Sequence, residues 1–327
     1  MNVIKIWGLL CLVFLASCGR KDVDRWQIES LPTAENIDII HVSDAYYNPE
    51  ITPDELRHQF PDFFENASDS LLQARRSDSL SFALHQEVSR KFNNTQALSD
   101  SLNQIFSRLQ YFYPKFTVPQ VYTFTGELSY EFPVAYFSET ADMVIGLDWF
   151  LGAENPIYQT MGVPDYFRTQ MNPGNFKPKI VESIAKQMVH YDIRKRKFIE
   201  KMIYEGKLLI IQDALLPDMA DAFKIGYTQD QINWAVTNEA QIYIYFTEEQ
   251  MFFSDDKRLN QRFIDPAPFS KFFSESDIES PGRIAAWMGW QICRSYLEKN
   301  PNLTLQDFIN DQDLIKIFNE SGYKPMR

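Results

Sequence analysis

The spacing of apolar and polar residues predicts a largely helical body. In 96-QALSDSLNQIFSRLQYFYP-114 apolar residues recur every three or four positions, which predicts a helix with one buried face that Pro114 ends. A second pattern over 54–66 suits a helix after Pro53, interrupted at Pro61. Four further helices are predicted towards the C-terminus, over 178–200, 200–214, 228–248 and 281–298.

The pattern changes between residues 117 and 151. In 120-QVYTFTGEL-128, 133-PVAYFSE-139 and 143-MVIGLDWFL-151, β-branched and aromatic residues cluster in short runs between breakers, which predicts three strands in antiparallel arrangement. The run 37-IDIIHV-42 predicts a separate short strand. Strands flanked by helical blocks indicate an α+β fold that is mainly helical with a small sheet.

The first residues carry signals for export and lipidation. Lys5 precedes an apolar run, 6–15, that is too short to span a bilayer and is typical of a signal peptide. The run ends in 15-LASC-18, which matches the bacterial lipobox. We therefore predict a lipoprotein signal peptide over 1–17, a lipid on Cys18, a tether over 18–35 and a single globular domain over 36–327. The alternative is an ordinary secretory signal with a chance cysteine.

Composition narrows the range of partners. The 327-residue chain has a formal net charge of −12, and an acidic protein gains no counterion-release energy from nucleic acid. Nucleic acid is therefore excluded as an expected partner. Once the signal peptide is removed and Cys18 carries a lipid, Cys293 is the one remaining thiol, so no intramolecular disulfide is possible. Its apolar helical surroundings predict a buried structural thiol.

The stretch 184-IAKQMVHYDI-193 carries the candidate chemistry. Zinc proteases of the HExxH type place two histidines four residues apart on one helix face, with a glutamate that activates water. In 186-KQMVH-190, Lys186 stands at the first histidine, Gln187 at the glutamate and His190 at the second histidine. Glu205, on a later helix, stands where a third ligand is expected.

The substitutions argue against catalysis. A protonated lysine has no lone pair for zinc, and a glutamine cannot act as a base. We therefore interpret Lys186, Gln187, His190 and Glu205 as vestigial positions, with no catalytic residue and no metal. A further hypothesis pairs the Lys186 amine with the Glu205 carboxylate, and Glu182 is the competing partner. The basic run 194-RKRK-197 is either a solvated helix face or a docking patch for an acidic partner or a headgroup.

Several motifs together resemble one known family. The lipobox, 145-IGLDWFLG-152, 184-IAKQMVHYDI-193, 202-MIYEGK-207 and 281-PGRIAAWMGWQICRSYLEKNP-301 resemble the gliding-motility lipoprotein family GldB of Bacteroidetes. That family is distantly similar to predicted zinc-dependent proteases with an intact HExxH. The resemblance implies a role in gliding and the associated type IX secretion machinery. It also implies a zincin-like degenerate protease scaffold, a pseudo-protease.

These observations lead to one expected function and one alternative. The expected protein is a non-catalytic structural or assembly component, with no cofactor beyond the lipid on Cys18. Its expected partners are other gliding and secretion proteins of the cell envelope, and its expected contact with the membrane is through the lipid anchor only. The body is expected to face the periplasm from the inner or the outer membrane, because no strongly acidic run follows Cys18. The alternative is a metal-dependent peptidase or hydrolase that uses His190 with Glu205 or Glu182. A ligand-binding protein that uses the former substrate cleft is a third option.

Overall fold

The computed structural model describes residues 25–32, 37–126, 132–274 and 277–325. The predicted signal peptide and Cys18 lie outside these residues. The α-helices of the described chain are α1 (Val42–Tyr47), α2 (Pro53–Gln59), α3 (Pro61–Phe64), α4 (Asp69–Ser77), α5 (Ser79–Lys91), α6 (Gln96–Phe112), α7 (Pro156–Thr160), α8 (Asp165–Arg168), α9 (Phe176–Met188), α10 (Phe198–Leu215), α11 (Asp221–Ile225), α12 (Gln229–Glu248), α13 (Arg258–Phe263), α14 (Ile284–Lys299), α15 (Leu305–Asn310) and α16 (Leu314–Ser321).

The sheet is mixed, which corrects the prediction of three antiparallel strands. Its strands are β1 (Ile39–His41), β2 (Gln120–Phe124), β3 (Val134–Phe137) and β4 (Asp142–Gly146), in the spatial order β1-β2-β4-β3. β1 and β4 both pair with β2 in parallel, and only β3 is antiparallel, on β4. The separate run at 37–42 supplies the fourth strand. Helices α1 to α6 form the long crossover that a parallel pair requires.

Helices cover both faces of the sheet. Val121 and Ile145 point into the main core, which the larger helices complete. Their neighbour Tyr122, together with Phe124, contacts a second core formed by Val42, Tyr46, Leu56, Phe60, Phe64 and Leu72. Successive residues of a strand point to opposite faces of the sheet. The residues on both faces can be apolar here because helices cover both faces.

Helices α10 and α14 form the centre of the main core. Residues on nearly every side of the second half of α10 are buried, as expected for a helix surrounded by protein. The two backbones meet at glycines: a Cβ on Gly206 would lie 2.4 Å from the Gly289 carbonyl oxygen. Cys293 is buried beside this contact, and burial raises the pKa of its thiol to about 12. The prediction of a buried thiol is confirmed.

Four of the predicted helices lie close to their expected positions, and one ends much earlier than expected. The helices expected over 96–114, 200–214, 228–248 and 281–298 correspond to α6, α10, α12 and α14, and Pro61 divides α2 from α3. The helix expected over 178–200 ends at Met188, and 189–197 is a connection. In that connection the Asp192 carboxylate accepts a hydrogen bond from the Arg194 backbone N–H at 2.9 Å, which stabilises a turn. The run 194–197 is therefore not a helix face. Across the described residues, no helix has the length and apolarity needed to cross a bilayer.

Candidate functional site

Three of the residues that the sequence analysis interprets as vestigial protease positions, Lys186, Gln187 and His190, lie at or just beyond the end of α9. Lys186 and Gln187 are exposed on its last turn, and Val189 has the extended conformation that ends the helix. His190 follows in the connection and is exposed. Lys186 and His190 therefore do not share a helix face, and the prediction that 186–190 lies on one helix is wrong. A residue pair with this placement cannot hold one metal in the manner of an HExxH helix.

Lys186 pairs with Glu182, so the proposed pairing with Glu205 is wrong. The Lys186 Nζ lies 2.7 Å from Glu182 Oε1, one turn back on the same helix, and Lys179 Nζ lies 3.1 Å from Glu182 Oε2. Burial alone would raise the pKa of Glu182. The neighbouring cations Lys179, Lys186 and Arg283 outweigh burial and lower that pKa well below its usual value. Glu182 is therefore ionised at neutral pH.

Glu205 is held by two other cations. Its side chain is 13% exposed, and its carboxylate oxygens lie 3.3 Å from Lys201 Nζ and 3.3 Å from Arg283 Nη2. Arg283 precedes α14 in a left-handed conformation, with φ of 61°. A Cβ on the preceding residue, Gly282, would lie 2.1 Å from the Ala267 carbonyl oxygen, so glycine alone fits there. This turn aims the Arg283 guanidinium at the carboxylate that stands at the ligand position.

These residues form one group, the α9–α10 charge cluster. It contains Lys179, Glu182, Lys186, Lys201, Glu205 and Arg283. Four cations face two carboxylates, so the cluster carries two excess positive charges in a chain of net charge −12. Such a field repels a divalent cation and attracts an anion. The positions that a zinc protease would give to ligands are part of a cationic cluster here.

A second ionic group lies further along α10 and was not predicted. In this group, the Asp213 cluster, the Asp213 carboxylate accepts hydrogen bonds from Lys224 Nζ at 2.8 Å and Trp290 Nε1 at 2.8 Å, and from Arg294 at 2.9 and 2.8 Å. Arg294 also forms a bidentate pair with Asp221, at 2.6 and 2.9 Å, and its guanidinium stacks 3.8 Å from the Trp290 ring centroid. The signal in the sequence was an aspartate within the apolar pattern of 206–215.

A third polar group lies at the carboxyl end of the parallel strands. Asp148 follows β4 and is 3% exposed, and its Oδ2 has no hydrogen-bond partner among the described residues. Burial raises the pKa of Asp148 to about 7. Hydrogen bonds from the backbone of Asp148 itself and of Gly126 act in the opposite direction and lower this pKa. The sequence assigned Asp148 to a strand over 143–151, whereas β4 ends at Gly146 and Leu147–Phe150 form a 3₁₀ turn.

An open groove of about 1940 Å³ lies away from the vestigial positions. The Asp213 cluster contributes Asp213, Asp221, Lys224 and Arg294 to its lining, and Trp26 and Phe112 border it on another side. His190 does not line this groove. The third option, a ligand-binding cleft beside His190, therefore gains no support from it.

Comparison with known families identifies the chain. The model of the family described as gliding motility protein GldB matches residues 24–325. The chain belongs to this family. The match covers the whole described body, including α9, α10 and α14, and a role in gliding motility follows from membership. No curated protein and no solved structure matches the chain. The family's short name marks its members as lipoproteins, which supports a lipid anchor.

Proposed function

We propose that this GldB-family chain is a non-catalytic lipoprotein that supports assembly or stability of the gliding and type IX secretion machinery. In this proposal Cys18 carries the lipid and the body faces the periplasm. Its partners are other gliding and secretion proteins of the envelope. The membrane is the inner or the outer one.

One observation carries the non-catalytic part of the proposal. Ion pairs within the protein occupy two of the positions where a zinc protease presents metal ligands. Lys186 pairs with Glu182, and Glu205 pairs with Lys201 and Arg283. Recruiting Glu205 to a metal would break its pairs with Lys201 and Arg283 and leave the partly buried Arg283 guanidinium with one carboxylate fewer, which is unfavourable. These pairs support a site that works without a cofactor.

The packing around α9 supports descent from a protease scaffold. The Ser183 hydroxyl of α9 accepts a hydrogen bond from the Tyr136 backbone N–H of the edge strand β3 at 2.9 Å. The helix that bears the proposed vestigial positions thus packs directly along the edge strand of the sheet. We therefore propose a zincin-like scaffold whose chemistry has been lost.

A combined substitution tests the proposal in a gliding bacterium. Lys186→Ala, Gln187→Ala and His190→Ala are introduced together on the chromosome, and colony spreading, single-cell gliding and protein abundance are measured. The expected result is near-normal gliding, because none of the three groups is used in chemistry. Loss of gliding at normal abundance would overturn the non-catalytic assignment.

Two further measurements complete the test. Cys18→Ser is expected to abolish membrane anchoring and reduce gliding, whereas Cys293→Ala leaves anchoring intact. Metal analysis of the purified protein distinguishes the alternative hydrolase. One equivalent of zinc that is lost in His190→Ala would support that alternative and contradict the proposal.

A further inference from the structure

The first described residues are fastened to the body by two guanidinium groups. Arg25 donates hydrogen bonds to the carbonyl oxygens of Leu297 at 2.7 Å and Leu303 at 2.8 Å, at the C-terminal end of α14 and just beyond it. Arg108 donates to the Trp26 carbonyl oxygen at 2.5 Å and to that of Ala214. A cation at a helix C-terminus is stabilised by the helix dipole. Residues 25 and 26 therefore belong to the folded body.

This fastening limits how far the body can lie from its lipid. Seven residue steps separate Cys18 from Arg25. A fully extended chain of that length spans about 25 Å, which is an upper limit for any conformation. A lipid on Cys18 therefore keeps the surface around Arg25 and Trp26 close to the bilayer.

The surface at this point carries residues suited to a lipid interface. The Trp26 ring packs edge-on against Phe112, with centroids 5.9 Å apart, and Phe112 packs edge-on against Tyr111 at 5.2 Å. Tyr111 is 50% exposed. Tryptophan and tyrosine are enriched at the membrane–water boundary, because their rings are apolar at one end and polar at the other. We call Trp26, Tyr111 and Phe112 the aromatic face.

We propose that the aromatic face lies against the phospholipid surface of the membrane that holds the lipid on Cys18. This inference rests on the proposed lipid anchor, and it adds an orientation of the body. The net charge of −12 gives the body no attraction to anionic headgroups. Contact then depends on the anchor and the aromatic rings, and is insensitive to salt.

Two matched positions test the orientation. Tyr111 and Phe253 are 50% and 52% exposed. Tyr111 lies near the C-terminal end of α10, where Arg108 contacts Ala214, and Phe253 lies near Phe198 at its N-terminal end. These ends are about 24 Å apart along the helix. Tyr111→Cys and Phe253→Cys each introduce one accessible thiol, since Cys293 is fully buried and the lipid occupies Cys18.

The experiment uses the full lipidated protein in phosphatidylcholine vesicles that contain nitroxide-labelled phosphatidylcholine. A fluorophore at 111 is expected to be quenched several-fold more strongly than one at 253, in both low and high salt. Equal quenching at the two positions, with the protein floating with the vesicles, would overturn the orientation and leave the anchor intact. Failure to float with vesicles would overturn the anchor itself.

A variant of the fastening separates orientation from proximity. Arg25→Ala removes the hydrogen bonds to α14 and the contact of the Arg25 guanidinium with the Trp26 ring, 5.1 Å from its centroid, while Cys18 and the three aromatic residues stay in place. Flotation is expected to persist, and the difference in quenching between positions 111 and 253 is expected to shrink. If the difference in quenching between positions 111 and 253 is unchanged in a folded Arg25→Ala protein, the hydrogen bonds of Arg25 do not set the orientation.

Discussion

Helix α10 carries two ionic groups with the same residue types and different environments. At Glu205, lysines of the α9–α10 charge cluster reach solvent, and the ion-pair distances are 3.3 Å. At Asp213, two carboxylates face two cations, and every contact of the Asp213 carboxylate is 2.9 Å or shorter. Both groups connect α10 to α14, through Arg283 and Arg294 respectively. One group has excess positive charge, and the other is balanced, with its central pair of Lys224 and Asp213 buried.

The difference indicates which group is structural. A buried carboxylate is tolerated only when its oxygens are fully hydrogen-bonded and its charge is compensated, and Asp213 meets both conditions. Glu205 lies in longer, partly solvated pairs, which contribute less to stability. We infer that the Asp213 cluster stabilises the helix pair. The α9–α10 charge cluster, which includes the proposed vestigial positions Lys186 and Glu205, is then less important for folding.

The largest expected contrast comes from neutralising each carboxylate. Asp213→Asn leaves the buried Lys224 and the partly exposed Arg294 with one carboxylate, that of Asp221, between them, so it should lower the free energy of unfolding by about 3–5 kcal/mol. Glu205→Gln should lower it by about 1 kcal/mol. Urea unfolding followed by circular dichroism measures both. Equal losses would remove the distinction between the two groups.

The glycine contact between the two groups is the next test. A Cβ on Gly289 would lie 1.9 Å from the Met202 carbonyl oxygen, so Gly289→Ala forces the helices apart. We expect a loss of about 3 kcal/mol from overpacking. Alanine is intrinsically favoured over glycine in helices by about 1 kcal/mol, so without the clash Gly289→Ala would stabilise the protein. A stabilised variant in thermal unfolding would show that the helices do not pack so closely.

Asp148 sharpens the comparison, because it is as buried as Asp213 and forms no ion pair within the part of the chain that the structure describes. The raised pKa means that the folded state holds the proton more tightly than the unfolded chain. Its contribution to stability is present below the unfolded pKa of about 4 and is lost as the pH rises towards 7. Between pH 4 and pH 8 the stability of Asp148→Asn relative to the wild type should therefore increase by about 4 kcal/mol, because the wild-type pKa is raised from about 4 to about 7. A difference that does not change with pH would show that Asp148 is ionised throughout.

The sequence predicted the helices of the core better than the site. Apolar periodicity located α6, α10, α12 and α14, because each buries a continuous face. It could not place the end of α9, since the residues after Met188 continue a helix-like pattern and a turn at Asp192 decides the outcome. Parallel pairing of β1 with β2 was also hidden, because strand order depends on how the intervening helices pack. The lysine at position 186 was recognised, and its partner was the competing one, Glu182.

The smallest expected effect concerns the pair at the end of α9. Lys186 is 43% exposed, and exposed pairs four residues apart on a helix contribute about 0.3–0.5 kcal/mol. Lys186→Ala should lower stability by about that amount at pH 7, because Lys179 and Arg283 still neutralise Glu182. The pKa of Glu182 is lowered in the folded state, so its contribution is fully present above the unfolded pKa of about 4.3 and is lost only as the pH falls through the much lower folded pKa. The difference between the variant and the wild type should therefore persist in moderate acid, as measured by urea unfolding at pH 7 and pH 3. A loss of several kcal/mol at pH 7 would place Lys186 with the Asp213 cluster as a structural group, and would mean that the former site has become part of the folding core.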